Sequence, residues 1–230
     1  MRREEGDCMK YRYAIFDMDG TLLDSMPYWK DLGRQYLLRR RLPVPENLRE
    51  RLAVMTMEES AAYFREELGA KETVGEIIET INGMIRENYR DVIPLKPGVI
   101  EFLNRLKRAG IRMCIATATY AEVARPALER LGILPFMEFV MDCKEAGAGK
   151  TSPAVYDLAA ERLGGNRSDT IVFEDAAYAI RTAHEAGYFV AAVADPLEAE
   201  AEGWIRTAAD LYIEDYRESD LPERIAGGEG

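Results

Sequence analysis

The stretch Tyr11-Arg12-Tyr13-Ala14-Ile15-Phe16-Asp17-Met18-Asp19-Gly20-Thr21 decides the fold of this chain. Its first six residues form a short β-rich run that stops on an acidic cluster, the pattern of a buried strand. A strand ending this way places Asp17 in the crevice at its carboxyl end. Asp19 lies within reach of the same ligand, and Gly20 lets the backbone turn tightly. One carboxylate can then attack while the other handles a proton. Asp-x-Asp-Gly-Thr specifies four residues at roughly 5% frequency each, so chance supplies it in on the order of one chain in a thousand of this length.

Working outward, residues 111–116, 137–140, 170–173 and 188–193 and the weaker 211–213 repeat the strand pattern. Helical patterns of about 10 to 15 residues separate most of them, and that alternation predicts a parallel sheet in a layered α/β fold. Pro97-Gly98 precedes a one-face stripe of Val99, Phe102, Leu103 and Leu106 that Gly110 closes. Ser152-Pro153 is expected to supply an N-cap and a first-turn proline to a helix over residues 155–163.

Residues 25–93 break the alternation. Trp29, Leu32, Tyr36 and Leu37 share one helical face; Met57, Ala61, Phe64 and Leu68 share a second; Val74, Ile77, Ile78, Ile81 and Ile85 share a third. Thr56-x-x-Glu59 and Thr73-x-x-Glu76 read as capping boxes. The chain therefore divides into an α/β core, residues 1–24 and 94–230, and a helical insert, residues 25–93. An insert at the carboxyl end of the first strand suits a cap over a site.

Charge narrows the chemistry. Thirty Lys and Arg against 41 Asp and Glu leave a formal charge of -11 over 230 residues, which repels nucleic acid and anionic lipid. We expect neither nucleic acid nor membrane as a partner. No apolar run reaches the roughly 18 residues of a membrane span, and Met1-Arg2-Arg3-Glu4-Glu5-Gly6-Asp7 lacks a signal peptide's apolar stretch, so the expected location is the cytoplasm. Cys8, Cys114 and Cys143 have neither disulfide nor metal-pair spacing and read as reduced thiols. The single histidine, His184, sits at the polar end of a helical pattern. Chemistry falls to carboxylates, hydroxyls and lysines. Gly147-Ala148-Gly149-Lys150-Thr151 imitates the end of a P-loop, but that motif needs glycine where Lys144 stands and a strand leading into it. Arg39-Arg40-Arg41 reads as a solvated helix end, the sequon Asn166-Arg167-Ser168 carries no meaning in a cytosolic protein, and residues 226–230 read as a frayed tail.

Four stretches together resemble the haloacid dehalogenase-like phosphohydrolase superfamily, in the family's order. They are Asp17-x-Asp19-Gly20-Thr21; Ile115-Ala116-Thr117-Ala118; Lys150 in Gly149-Lys150-Thr151-Ser152-Pro153; and Val172-Phe173-Glu174-Asp175-Ala176. The helical insert is similar to that of the subgroup holding phosphoglycolate phosphatases and β-phosphoglucomutases. The resemblance implies a Rossmann-like, doubly wound parallel sheet carrying an α-helical cap. It also implies Asp17 as the nucleophile that becomes an aspartyl phosphate and Asp19 as general acid and base. Phosphate binding would fall to Thr117, the Ala118 N–H and Lys150. Mg²⁺ would sit on the Asp17 carboxylate, the Asp19 carbonyl and the Asp175 carboxylate, with Glu174 behind them. Four carboxylates around a phosphate dianion repel by several kcal/mol, roughly, without such a cation.

An acid at position 19 argues against the dehalogenase and phosphonatase branches of the superfamily. The expected activity is Mg²⁺-dependent hydrolysis of a small phosphomonoester, of the sugar phosphate or phosphoglycolate type. Phosphomutase is the alternative, yet β-phosphoglucomutases carry a histidine where Trp29 stands, and their basic, glycine-containing cap loop differs from Ala53-Val54-Met55-Thr56-Met57-Glu58-Glu59. In capped members the cap reads the leaving group, which makes Tyr28, Trp29, Met55 and Met57 candidate lining residues. A non-catalytic binding module on the same fold is the third reading; the presence of Asp17, Asp19, Lys150 and Asp175 speaks against it. The protein is expected to act as a monomer, with a dimer as the alternative.

Overall fold

The computed structural model describes residues 11–52, 55 and 57–226. Cys8, the capping box expected at Thr56, and tail residues 227–230 lie outside them. The chain forms two compact units, Met1–Asp24 with Pro94–Gly230, and Ser25–Ile93.

The first unit is a six-stranded, wholly parallel sheet. Its strands are β1 (Tyr13–Phe16), β2 (Arg112–Thr117), β3 (Met137–Asp142), β4 (Thr170–Glu174), β5 (Phe189–Val193) and β6 (Leu211–Ile213), in spatial order β3-β2-β1-β4-β5-β6. The order reverses at β1, so β1 is the switch point at which doubly wound sheets bind ligands. Continuous apolar runs make the central strands. All of β1, β4 and β5 is buried, as expected for a sheet covered on both faces. Phe16 and Phe173 stack across the β1–β4 pair with ring centroids 4.2 Å apart, and Phe102 meets Phe173 edge-on at 5.7 Å.

Ten α-helices are described. In the helical unit they are α1 (Met26–Arg39), α2 (Leu48–Leu52), α3 (Met57–Glu66) and α4 (Val74–Asp91). The α/β unit holds α5 (Val99–Arg108), α6 (Ala121–Arg130), α7 (Ala154–Leu163), α8 (Ala177–Glu185), α9 (Glu202–Ala208) and α10 (Leu221–Ala226). The capping box of α4 is present: Thr73 Oγ1 accepts from the Glu76 N–H, and Glu76 reaches back to the Thr73 N–H. The start of α7 corrects the expected cap. Pro153 occupies the N-cap position and the helix begins at Ala154, while Ser152 Oγ accepts from the Ala154 N–H at 3.3 Å. Pro153 has no N–H to lose there, so this start costs little.

Within the helical unit, Leu32, Tyr36, Leu37, Ala61, Phe64, Ile77, Ile81 and Ile85 are buried along the expected stripes, and Met84 and Tyr89 join them. Trp29 is half-buried and donates its Nε1–H to Tyr89 Oη at 3.0 Å, a packing role within that unit. The two connections to the insert run side by side on the α/β unit. Leu23 bridges Leu95 antiparallel, the Asp24 N–H donates to Pro94, and the Lys96 N–H donates to Leu22. Lys96 Nζ is tied to Asp195 at 3.0 Å beyond the end of β5. No described helix is long and apolar enough to cross a membrane. Cys114 and Cys143 are free thiols, and His184 lies in the last turn of α8.

Candidate active site

The register of the sheet assembles the site. Phe16 pairs with Ile115 on one side and Phe173 on the other, so the residues that follow each strand emerge at one edge. Asp17 leaves the end of β1 with its N–H on the Phe173 carbonyl at 2.9 Å. Thr117 ends β2, and Glu174 ends β4 with Asp175 directly after it.

Lys150 ties the ends of β1 and β4 together. It arrives on the loop between β3 and α7, where the Gly147 N–H donates to Lys144 and the Ala148 N–H to Cys143. No strand leads into the Gly147–Thr151 stretch and no helix begins at Lys150, so the P-loop reading fails on structure. Buried to 4% exposure, Lys150 donates from Nζ to Asp17 Oδ1 and to Glu174 Oε1, the second bond 2.6 Å long. Burial works against the ammonium charge, but Asp17 and Glu174 outweigh it and hold Lys150 protonated above its ordinary range. Tyr156, on α7, donates to Glu174 Oε1 at 2.8 Å. Glu174 is thereby a doubly held acceptor, and burial still pushes its carboxyl up to about 7.

Asp175 accepts from Thr21 Oγ1 at 2.8 Å. Gly20, at φ +84°, passes so close to Asp175 that any Cβ there would collide with the carboxylate. The glycine of the first motif is thus needed twice, for its backbone angle and for the approach of Asp175. Asp19 is half-buried and accepts from Thr119 Oγ1 at 2.7 Å. Thr117 is fully buried, and Ala118 is exposed beside it.

Asp17, Glu174 and Asp175 each offer a carboxylate oxygen within 4.8 Å of the others, all buried. Lys150 neutralises only part of that charge, and burial followed by the charge of Asp17 drives the Asp175 carboxyl well above its ordinary value. An all-oxygen, anionic, dehydrated set of this kind fits a hard divalent cation such as Mg²⁺. Asp17, Asp19, Thr117, Ala118, Lys150, Glu174 and Asp175 all lie on this one edge or in the loops bordering it, whereas the candidate lining residues Tyr28, Trp29, Met55 and Met57 belong to the helical unit. Three others in the hydrogen-bonded set were not singled out: Thr21 as a partner of Asp175, Thr119 and Tyr156. Thr21 ends the first motif and Thr119 lies two residues past Thr117, both positional hints; Tyr156 lies on an apolar helix face, where nothing in the sequence marks its hydroxyl.

The haloacid dehalogenase-like hydrolase family matches residues 11–187. Hexitol phosphatase A of Escherichia coli (strain K12) is 30% identical, the match covering 83% of this chain and 86% of that protein. Beta-phosphoglucomutase of Bacillus subtilis (strain 168) is 28% identical over 87% of this chain and 92% of its own length. Among solved structures, a family IA, variant 3 hydrolase from Entamoeba histolytica superposes with a TM-score of 0.79 at 21% identity, covering 95% of this chain and all of that one, a likeness of fold.

Proposed function

The chain belongs to the haloacid dehalogenase-like hydrolases, and we propose that it is a Mg²⁺-dependent phosphatase acting on a small organic phosphomonoester, a sugar or polyol phosphate or a phosphoglycolate-type ester. The observation that carries this reading is the buried Lys150 bridging Asp17 and Glu174 beside Asp175. A lysine held charged among carboxylates at a strand-end crevice meets an incoming dianion with a fixed positive charge.

In the mechanism, Asp17 attacks phosphorus as the bond to the leaving oxygen breaks, and Asp19 gives that oxygen its proton. Asp19 then takes a proton from the water that displaces Asp17 and releases inorganic phosphate. Lys150 holds the transferring group's charge throughout. The Thr117 hydroxyl and the Ala118 N–H donate to its other oxygens. Asp17, Asp175 and the Asp19 carbonyl would hold Mg²⁺, which supplies charge neutralisation and polarises a phosphoryl oxygen. Glu174, engaged by Lys150 and Tyr156, fits a residue that fixes the lysine rather than one that reacts. The helical unit, inserted directly after the first motif, is assigned the role of selecting the leaving group.

The relatives named above favour phosphorylated sugars and polyols as substrates. The mutase relative keeps phosphomutase as a second reading, in which the aspartyl phosphate passes its group to a second sugar hydroxyl. Phosphate release from a nitrophenyl phosphate, a hexitol phosphate, glycerol phosphate and phosphoglycolate, with Mg²⁺ and with EDTA, separates the two. Metal-dependent release that Asp17→Asn abolishes supports the phosphatase. No release, but interconversion of a hexose monophosphate primed by a bisphosphate, supports the mutase. Release in EDTA at the full rate refutes the metal assignment.

A further inference from the structure

The hydrogen bond between Thr119 and Asp19 has no part in the mechanism above. It joins the loop after β1 to the turn after β2, and it ends on the carboxyl group assigned to move protons. We propose that Thr119 is a positioning residue for Asp19: by donating from Oγ1 to Asp19 Oδ2 at 2.7 Å, it fixes the plane of that carboxyl group, so that the exchangeable proton rides on Oδ1 and is aimed along one line. This rests on the reading of Asp19 as general acid and base.

The local structure explains why Thr119 can hold another side chain still. β2 ends at Thr117, and the Thr119 N–H turns back to Thr117 Oγ1 at 3.0 Å, a side-chain-to-backbone turn two residues long. On the far side of this turn, the Ala121 N–H donates to Asp142 Oδ2 at 3.0 Å, while the Glu145 N–H donates to Asp142 Oδ1 at 2.9 Å. The segment from Thr117 to Ala121 is therefore pinned to the ends of both β2 and β3. Asp19 is held by its own tight turn, in which the Leu22 and Leu23 N–H groups donate to Met18 and the Gly20 N–H to Leu23. Two rigid turns approach, and one hydroxyl-to-carboxylate bond spans them.

The same turn serves Thr117. The bond from the Thr119 N–H uses a lone pair of the Thr117 hydroxyl and leaves its proton to donate to a phosphoryl oxygen. Proton donor and phosphate donor are thus set by one three-residue segment. A carboxyl group without such a restraint rotates about its last torsion and meets the leaving oxygen in only part of its orientations, which weakens general acid catalysis. Threonine suits the task because its β-branch restricts χ1.

The test compares leaving groups. Thr119→Val keeps the shape and removes the hydroxyl. An alkyl leaving group needs its proton from Asp19, whereas nitrophenolate departs without one. For Thr119→Val we expect kcat/KM for the best alkyl phosphate of the panel to fall about tenfold, a fraction of what general acid catalysis contributes. For a nitrophenyl phosphate kcat/KM changes by less than about twofold, while kcat and KM fall together because the water step still needs an oriented base. Thr119→Ser restores both, and Thr119→Ala carries the same expectation should the valine protein not fold. In an Asp19→Asn background, Thr119→Val has no further effect on the alkyl substrate. Equal losses of kcat/KM on both substrates, or none on the alkyl phosphate while Asp19→Asn discriminates steeply, overturns the proposal and leaves Asp19 in its role. An Asp19→Asn protein that does not discriminate overturns the role of Asp19 itself, and the proposal falls with it.

Discussion

The helical unit and the α/β unit hold their charges in opposite ways. In the helical unit, Arg51 meets Glu67 at 3.1 Å and Arg86 meets Glu79 at 3.4 Å on the surface, and no charged side chain is buried among its described residues. The α/β unit has surface pairs of the same kind, but it also buries Asp17, Lys150, Asp169, Glu174, Asp175 and Asp195. Exposed pairs contribute about 0–1 kcal/mol each, whereas a charge taken out of water costs several kcal/mol, roughly, unless partners compensate. Helix packing alone explains the first unit. In the second, Asp17, Lys150, Glu174 and Asp175 gather at one sheet edge, a concentration of buried charge that packing does not explain and that the proposed phosphoryl chemistry would.

The contrast can be broken at its strong end with Lys150→Met. Removing the cation leaves Asp17 and Glu174 facing each other without a counter-charge, and kcat should drop about 10²–10³-fold, or roughly 3–4 kcal/mol, in the phosphate-release assay. A drop of less than about tenfold would place Lys150 outside the reaction. Next comes Lys96→Met, which removes the counter-charge of Asp195, 1% exposed in its side chain, and leaves it the Leu197 N–H. Unfolding of the α/β unit should lose about 3 kcal/mol in denaturant titration, the cost of leaving one member of a buried pair alone. In the helical unit, Thr73→Ala removes the side-chain half of the α4 capping box, the bond from the Glu76 N–H to Thr73 Oγ1, and should cost about 1 kcal/mol, with catalysis unchanged.

The weakest effect expected is pH-dependent. Arg167, and after it the Tyr188 hydroxyl, hold the Asp157 carboxyl below its ordinary value, against the pull of burial. A depressed carboxylate stabilises the fold above its unfolded pKa of about 4, and that stability is lost as pH falls through the folded value. Asp157→Asn should therefore lower stability at pH ~7 by under about 1 kcal/mol, since the pair is partly solvent-exposed. The deficit should shrink as pH falls below about 4 and vanish once the pH lies below the folded value. A deficit that persists there would mean that packing, rather than charge, is what Asp157 contributes.

Much of the α/β unit was legible because strands buried on both faces leave uninterrupted apolar runs, and because Asp17, Lys150 and Glu174-Asp175 follow those runs at fixed points. Less legible was whatever depends on contacts distant in sequence. Tyr156 lies on an apolar helix face, and only the fold brings its hydroxyl to Glu174. Thr119 is an ordinary residue until the β2 turn carries it to Asp19, 100 positions away. α2, five residues long, has too few turns to show a period. α7 starts at Ala154, one residue later than Ser-Pro suggests, although Ser152 Oγ accepts from the Ala154 N–H as a cap at Ser152 would; a sequence marks a helix end only to within a residue or so.

The most direct test of the site is to quench a single turnover of a nitrophenyl phosphate with acid and weigh the protein. Transient gain of one phosphoryl group, on the peptide that carries Asp17 and released by hydroxylamine, is the expected result, and it should disappear in Asp17→Asn. Phosphate formed with no phosphorylated protein at any quench time, at a rate that Asp17→Asn shares, would contradict the role assigned to Asp17.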